Sequence, residues 1–157
     1  MRISFENSDE MIHNLIFAKG DGKTIDRLAE SALKLGEKGM EMGFVPKDPS
    51  ILASIGLVQP GKKASVEFTA PKEIGDYPYV CTFPGHSLTM RGVMKVLDDP
   101  SAVDLSKTKE VSASTTPRNG VIEVGDDPRV IRVHVAGIDS GRSIAVGLPG
   151  GVNYLFD

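Results

Sequence analysis

The sequence predicts an all-β protein whose N-terminal part is an antiparallel β-sandwich with one helical insertion. Residues 2–7 and 64–70 alternate polar and apolar side chains, which is typical of half-buried strands. Similar short segments follow one another along the chain, separated by turns that contain proline and glycine, as in sandwich folds. A content of 40% hydrophobic and 25% charged residues is that of an ordinary globular protein.

The predicted strands of the sandwich follow one another at short intervals along the chain. They cover residues 2–7, 11–18, 51–57, 64–70, 77–81 and 93–97. The segment 51–57 is short and apolar, so it is consistent with either an edge strand or a helical turn.

One segment has the periodicity of a helix instead of a strand. Apolar residues between Ile25 and Leu35 follow helical spacing, which predicts a helix that covers the core of the sandwich. Thr24 is placed to cap the first turn of this helix, and Gly36 is expected to end it.

The composition changes after residue 98, which we take as the end of the first domain, residues 1–98. Residues 99–118 are rich in serine, threonine, lysine and aspartate, and this predicts a linker. Residues 119–157 contain four short strand-like segments, the first at 121–124. We interpret this β-rich tail either as a truncated second domain or as strands that pair with an open edge of the first.

Charge and composition exclude several classes of protein. The net charge is −3 and no basic patch is present, so a nucleic-acid partner has no electrostatic basis. No apolar run approaches the ~18 residues of a transmembrane helix. The single cysteine excludes an intramolecular disulfide framework, and residues 1–6 have the pattern of a strand and not that of a signal peptide.

The residues with metal-binding chemistry are concentrated in the loop 81–90. This loop holds the only cysteine, Cys81, together with His86 and Met90, and it lies between two predicted strands. Thiolate, imidazole and thioether groups are ligands that copper prefers, and a blue-copper site combines two imidazoles with one thiolate and a weak thioether. His13, the only histidine before the loop, is the candidate for the second imidazole.

The loop sequence Cys-Thr-Phe-Pro-Gly-His-Ser-x-x-Met, followed by Arg-Gly, resembles the copper loop of azurins and auracyanins. The pair His13-Asn14 resembles the first histidine of the same family and its neighbour. The family is the cupredoxins, which are Greek-key β-sandwiches that carry single electrons through one type 1 copper ion. A helical insertion at the position predicted above is also a feature of azurin-like proteins.

The resemblance implies a role for each residue of the predicted site. His13, Cys81 and His86 would be the equatorial copper ligands, and Met90 would be the weak axial ligand. The backbone oxygen of Ile12 would lie near copper on the opposite axis.

The resemblance also implies how the ligands are supported and reached. Asn14 would connect the two ligand segments by hydrogen bonds, and Phe83 and Leu88 would shield the site from water. His86 is expected to reach the surface inside an apolar patch that includes Pro84, Leu88 and the surroundings of Leu15.

The implied function is outer-sphere electron transfer that cycles between Cu(II) and Cu(I), without enzymatic activity. The partner would be another redox protein, such as a cytochrome or a second copper protein. Cupredoxins are usually exported, so we expect a periplasmic or otherwise exported location.

Two more strands normally precede the first histidine in this family, and here only residues 1–12 precede it. We therefore interpret the chain as a fragment of a larger protein, with its first strands and signal peptide missing.

Several alternatives stay open at this point. A zinc site would use one cysteine and two histidines, but structural zinc sites usually bring four strong ligands in paired spacing. A Cys–His nucleophilic enzyme would need an orienting acid, and none can be chosen from the sequence. The chain is also compatible with a non-catalytic copper-binding module of a larger multidomain redox enzyme. Finally, without its first strands the fragment would hold the ligands poorly and fail to bind copper.

Overall fold

The computed structural model describes residues 1–7, 9–97, 130–133, 144–147 and 153–156. Within these ranges the chain forms one α-helix, α1 (Gly22–Leu33), and one short 3-10 helix (Gly36–Lys38). The strands of the same ranges are β1 (Arg2–Glu6), β2 (His13–Ala18), β3 (Ile51–Val58), β4 (Lys63–Glu67), β5 (Gly75–Val80), β6 (Arg91–Leu97), β7 (Val130–Val133), β8 (Ile144–Gly147) and β9 (Asn153–Phe156).

The strands form two sheets, with the orders β4-β1-β7 and β3-β2-β5-β6-β9-β8. Strand β7 pairs in parallel with β1, and β9 pairs antiparallel with β6 and β8, so strands from the tail extend both sheets. The linker at 99–118 and the tail segment at 121–124 lie outside the described residues. The domain boundaries therefore stay a prediction.

Strand β2 is buried on both of its faces, and this places it at the centre of the molecule. Leu15 and Phe17 pack into the main core between the two sheets. Ile16 and Ala18 pack on the other side, in a smaller cluster with residues of α1. Since side chains alternate along a strand, the two faces of β2 serve two different layers.

The register of β2 against β3 is irregular close to the start of β2. His13 pairs with Val58 and Leu15 with Ile55. A step of two residues along β2 therefore corresponds to a step of three residues along β3. Such a bulge redirects side chains and is common beside functional sites. Segment 51–57, for which the sequence left two interpretations, is this strand β3.

The helix α1 covers the smaller cluster with its apolar face, as predicted. Its cap, however, differs from the prediction. Asp21 is the N-cap, because its carboxylate accepts a hydrogen bond from the Thr24 amide at 3.1 Å. Thr24 itself is the third helical residue and completes a capping box. Among the described residues, no helix is both long enough and apolar enough to cross a membrane.

Candidate metal centre

The loop 81–90 is closed by the pairing of the strands at its two ends. Val80, the last residue of β5, pairs with Arg91, the first residue of β6. The Cys81 amide then donates to the carbonyl oxygen of Met90 at 2.9 Å. The first and last candidate ligands of the loop are therefore held next to each other by backbone hydrogen bonds.

A tight turn inside the loop brings His86 back towards Cys81. The His86 amide donates to the carbonyl of Phe83 at 3.0 Å, and the Met90 amide donates to the carbonyl of His86 at 2.8 Å. Gly85 has a φ angle of +88°. Glycine adopts this conformation at little cost, which explains its place before the histidine.

Three side chains converge at this point of the fold. The Cys81 sulfur lies 3.8 Å from Nδ1 of His13 and 3.7 Å from Nδ1 of His86, and the two Nδ1 atoms are 3.1 Å apart. Metal bonds of about 2.0–2.1 Å to imidazole nitrogen and about 2.3 Å to thiolate place the donors of one ion at such separations. The three donor atoms therefore fit around a single metal ion. Among the described residues, this is the one group of three or more His, Cys, Asp or Glu side chains so arranged.

The fourth candidate, Met90, is buried in the same hydrophobic cluster as Cys81. Cys81 itself has no exposed surface and His13 is 8% exposed, whereas His86 is only partly buried. Two imidazoles, a thiolate and a thioether in a mostly apolar environment are the donor set of a type 1 copper site.

Burial also controls the ionisation of the donors. Burial raises the pKa of the Cys81 thiol, although the backbone amides of Asn14 and Phe83 act in the opposite direction. Burial and the nearby His13 lower the pKa of His86, and Asp9 opposes this effect. A metal cation is the natural replacement for the thiol proton, because a coordinating thiol must be deprotonated.

Asn14 connects the two segments that carry the donors. Its Oδ1 accepts from the amide of Thr82 at 2.7 Å, and its Nδ2 donates to Thr82 Oγ1 at 2.8 Å and to the carbonyl of Gly43 at 2.7 Å. The side chain is fully buried and uses both its acceptor and its two donor hydrogens. The position of β2 relative to the loop is thereby fixed.

The backbone at Gly43 and Phe44 is shaped to receive these hydrogen bonds. Both residues have positive φ angles, +62° and +52°, and Phe44 is the one non-glycine residue of this kind among those described. The carbonyl of Phe44 accepts from Thr82 Oγ1 at 2.6 Å. A bulky residue in this conformation is strained, and such strain is found where the surrounding contacts over-determine the backbone.

Phe83 and Leu88 occupy different environments. The Phe83 ring packs edge-on against Phe44 at 5.4 Å and lies 5.0 Å from the ring of His86, so it covers one side of the site. Leu88 is 81% exposed, which corrects the expectation that it shields the site from water. Leu15 is fully buried in the core and does not belong to a surface patch.

Some residues near the site had no clear signal in the sequence. Asp9 approaches the ring of His13 from a polar turn, with Oδ2 at 3.2 Å from Nε2. Its partial burial opposes ionisation, but hydrogen bonds from His13 and from two backbone amides outweigh burial and lower the pKa of Asp9. Thr82, which bonds to Asn14 and to the carbonyl of Phe44, has a weak signal, because it directly follows Cys81 in the sequence. The axial role predicted for the backbone oxygen of Ile12 stays a prediction.

Comparison with known proteins shows the family of the chain. The sequence profile of copper binding proteins of the plastocyanin/azurin family matches residues 1–97. An azurin of Methylobacillus flagellatus is 35% identical over 91 residues, which cover 56% of this chain and 58% of the relative. Auracyanin-A of Chloroflexus aurantiacus is also 35% identical over 91 residues, covering 57% of this chain and 54% of the relative. The matched part thus spans little more than half the length of these curated relatives.

Solved structures show the same fold. The structure of Na-dithionite reduced auracyanin from Roseiflexus castenholzii has a TM-score of 0.54 and 31% identity, and the match covers 60% of this chain and 74% of that chain. The "blue" copper protein auracyanin A from Chloroflexus aurantiacus has a TM-score of 0.52 and 33% identity, covering 59% and 73%. The predicted β-sandwich is confirmed, and copper is the metal that the donor set and the relatives indicate. The chain belongs to the plastocyanin/azurin family of copper-binding proteins.

Proposed function

We propose that this chain is a type 1 copper electron-transfer protein, with His13, Cys81 and His86 as equatorial ligands and Met90 as the axial ligand. The observation that carries the proposal is the convergence of the three donor atoms, which lie within 4.8 Å of one another. When bound, copper supplies a one-electron couple between Cu(II) and Cu(I).

The protein's contribution is a rigid and largely dry site. Backbone pairing fixes Cys81 beside Met90, and the hydrogen bonds of Asn14 fix β2 against the loop. Because these contacts do not depend on the metal, the donors have little freedom to rearrange when the charge of the site changes. A site held in one geometry needs little reorganisation, which favours fast electron transfer.

The burial of the donors favours an electron carrier over an enzyme. The Cys81 sulfur has no exposed surface, so no substrate reaches it directly. This also argues against Cys81 as the nucleophile of a Cys–His enzyme, since a nucleophile must meet its substrate.

His86 gives the site its contact with the surface. Its ring is partly exposed, and the neighbouring Pro84 and Leu88 are exposed. We propose that a redox partner, such as a cytochrome or another copper protein, docks briefly here, since weak redox encounters use small interfaces. The net charge of −3 predicts little electrostatic steering. A periplasmic or otherwise exported location is part of the proposal, because cupredoxins are usually exported.

Voltammetry of the copper-loaded protein tests the function directly. We expect a reversible one-electron wave that is absent in Cys81→Ser. The wave should be unchanged in Lys72→Ala, because Lys72 is exposed and lies before the first residue of β5, at the end of the strand opposite to Cys81. Bound copper that exchanges rapidly and gives no reversible wave would instead indicate a module for copper storage or delivery.

A further inference from the structure

The side chain of Asp9 contacts two different parts of the protein with its two oxygens. Oδ1 accepts from the amides of Glu10 at 2.6 Å and Met11 at 3.3 Å, and so stabilises the turn before β2. Oδ2 faces Nε2 of His13 at 3.2 Å. The carboxylate is therefore oriented by the turn and presents its second oxygen to the imidazole.

The turn that carries Asp9 is anchored in the core. The buried Asn7 donates from Nδ2 to the carbonyls of Met11 at 2.7 Å and Val58 at 2.8 Å, and its Oδ1 accepts from the amide of Asp9 at 3.0 Å. Val58 belongs to β3, the strand that pairs with β2 beside His13. The carboxylate thus has a fixed position relative to the imidazole, although Asp9 itself is half-exposed.

The contact determines which nitrogen of His13 faces the other donors. A carboxylate can only accept hydrogen bonds, so Nε2 of His13 must be the donor. The lone pair of a neutral imidazole is then on Nδ1, the atom that lies 3.8 Å from the Cys81 sulfur and 3.1 Å from Nδ1 of His86. The geometry therefore matches a carboxylate–histidine–metal arrangement, in which the carboxylate fixes the tautomer and strengthens the histidine as a ligand.

We propose that Asp9 is a positioning residue that fixes the tautomer and orientation of His13 and makes it a stronger donor for Cu(II). This inference rests on the proposed copper function for its effect on the metal, but its effect on the imidazole is a property of the metal-free protein. The two can therefore be measured separately.

Three variants test the two acceptor roles of the Asp9 carboxylate. Asp9→Ala removes both acceptor oxygens. Asp9→Asn keeps only one oxygen, and because the amides of Glu10 and Met11 already bind one, the Asn NH2 group would face Nε2 of His13 and donate to it. Glu10→Gln is the matched control, because it makes the same change of charge at the neighbouring exposed residue, for which no contact with His13 is found. Urea unfolding of the metal-free variants checks that the turn still folds.

The first readout is nitrogen NMR of His13 in the metal-free protein at about pH 8, above the ordinary pKa of histidine. We expect a single Nε2–H tautomer in the wild type and Glu10→Gln, a mixture of tautomers in Asp9→Ala, and a shift towards the Nδ1–H tautomer in Asp9→Asn. The same tautomer in Asp9→Ala as in the wild type would overturn the inference, whether or not the protein binds copper.

The second readout is copper binding, measured by competition with a chelator and by voltammetry. Loss of such a supporting contact typically costs 10–100-fold in metal affinity, so we expect a weakening of about that size for Cu(II) in Asp9→Ala. Asp9→Asn should bind Cu(II) no more tightly than Asp9→Ala, because its NH2 group favours the imidazole tautomer with the proton on Nδ1. Glu10→Gln should change neither the affinity nor the reduction potential. Equal affinity and potential in all variants would overturn the inference, whereas a wild type without copper binding would contradict the proposed function.

Discussion

Asn14 and Thr82 are joined by two hydrogen bonds that run in opposite directions. The Thr82 amide donates to Asn14 Oδ1 at 2.7 Å, and Asn14 Nδ2 donates to Thr82 Oγ1 at 2.8 Å. Asn14 follows His13 in the chain, and Thr82 follows Cys81. This buried pair therefore sets the distance between two donors that are far apart in sequence.

Replacing Asn14 by alanine should lower the free energy of unfolding by about 1–3 kcal/mol, because the Thr82 amide and the Gly43 carbonyl lose their buried partner. Urea unfolding of the metal-free protein measures this. Thr82→Val removes only the hydroxyl, and the double variant completes a thermodynamic cycle. Strictly additive effects of the two changes would show that the pair is not coupled.

Replacing Met90 by glutamine should lower the reduction potential while the blue colour is kept. An amide oxygen is a harder ligand than a thioether and favours Cu(II), and the axial ligand tunes the potential of such sites. Met94→Leu is the matched control, because Met94 is a buried methionine of the same hydrophobic cluster. An equal shift in both variants, measured by voltammetry, would argue against Met90 as a ligand.

Arg91 should stabilise the metal-binding loop from its C-terminal end. Its Nε donates to the carbonyl of Ser87 and its guanidinium pairs with Asp26 of α1 at 2.9 Å. Arg91→Ala should cost about 0.5–1.5 kcal/mol and speed the release of copper to a chelator. Asp26→Ala, which breaks only the exposed ion pair, should cost less than about 1 kcal/mol. If both variants release copper at the wild-type rate, Arg91 does not restrain the loop.

Asp48 should contribute to the loss of stability in acid. Hydrogen bonds from Arg27, and then from the hydroxyl and amide of Ser50, hold the pKa of Asp48 well below its ordinary value of 3.8. The folded protein therefore favours the ionised form. The stabilisation is complete above the unfolded pKa, near 3.8, and is lost as the pH falls towards the lower folded pKa.

Thermal unfolding between neutral and acidic pH checks this behaviour. Asp48→Asn should have a lower Tm than the wild type at neutral pH and a smaller decrease in Tm on acidification below about pH 4. Parallel curves for the two proteins would show that Asp48 is not the group responsible.

The sequence predicts much of the fold because strand alternation and helical spacing are local signals. It could not predict the cap of α1, since Asp21 and Thr24 are both good capping residues and only the backbone geometry selects between them. The candidate donors His13, Cys81 and His86 could be chosen because histidine and cysteine are rare in this chain.

The supporting residues Gly43, Phe44 and Asp9 could not be chosen in the same way. The carbonyls of Gly43 and Phe44 reach the site through a left-handed backbone that has no side-chain signature. Asp9 is one of several acidic residues near the first histidine, and only the folded turn aims its carboxylate at His13.

The central claim is that His13, Cys81, His86 and Met90 form one type 1 copper site. The most direct test is a visible absorption titration of the folded, metal-free protein with Cu(II). We predict an intense blue band that saturates at one copper per chain, is abolished by Cys81→Ala and survives in Thr89→Ala, a change at an exposed loop residue. A folded protein that binds copper without this band, or that keeps the band in Cys81→Ala, would contradict the claim.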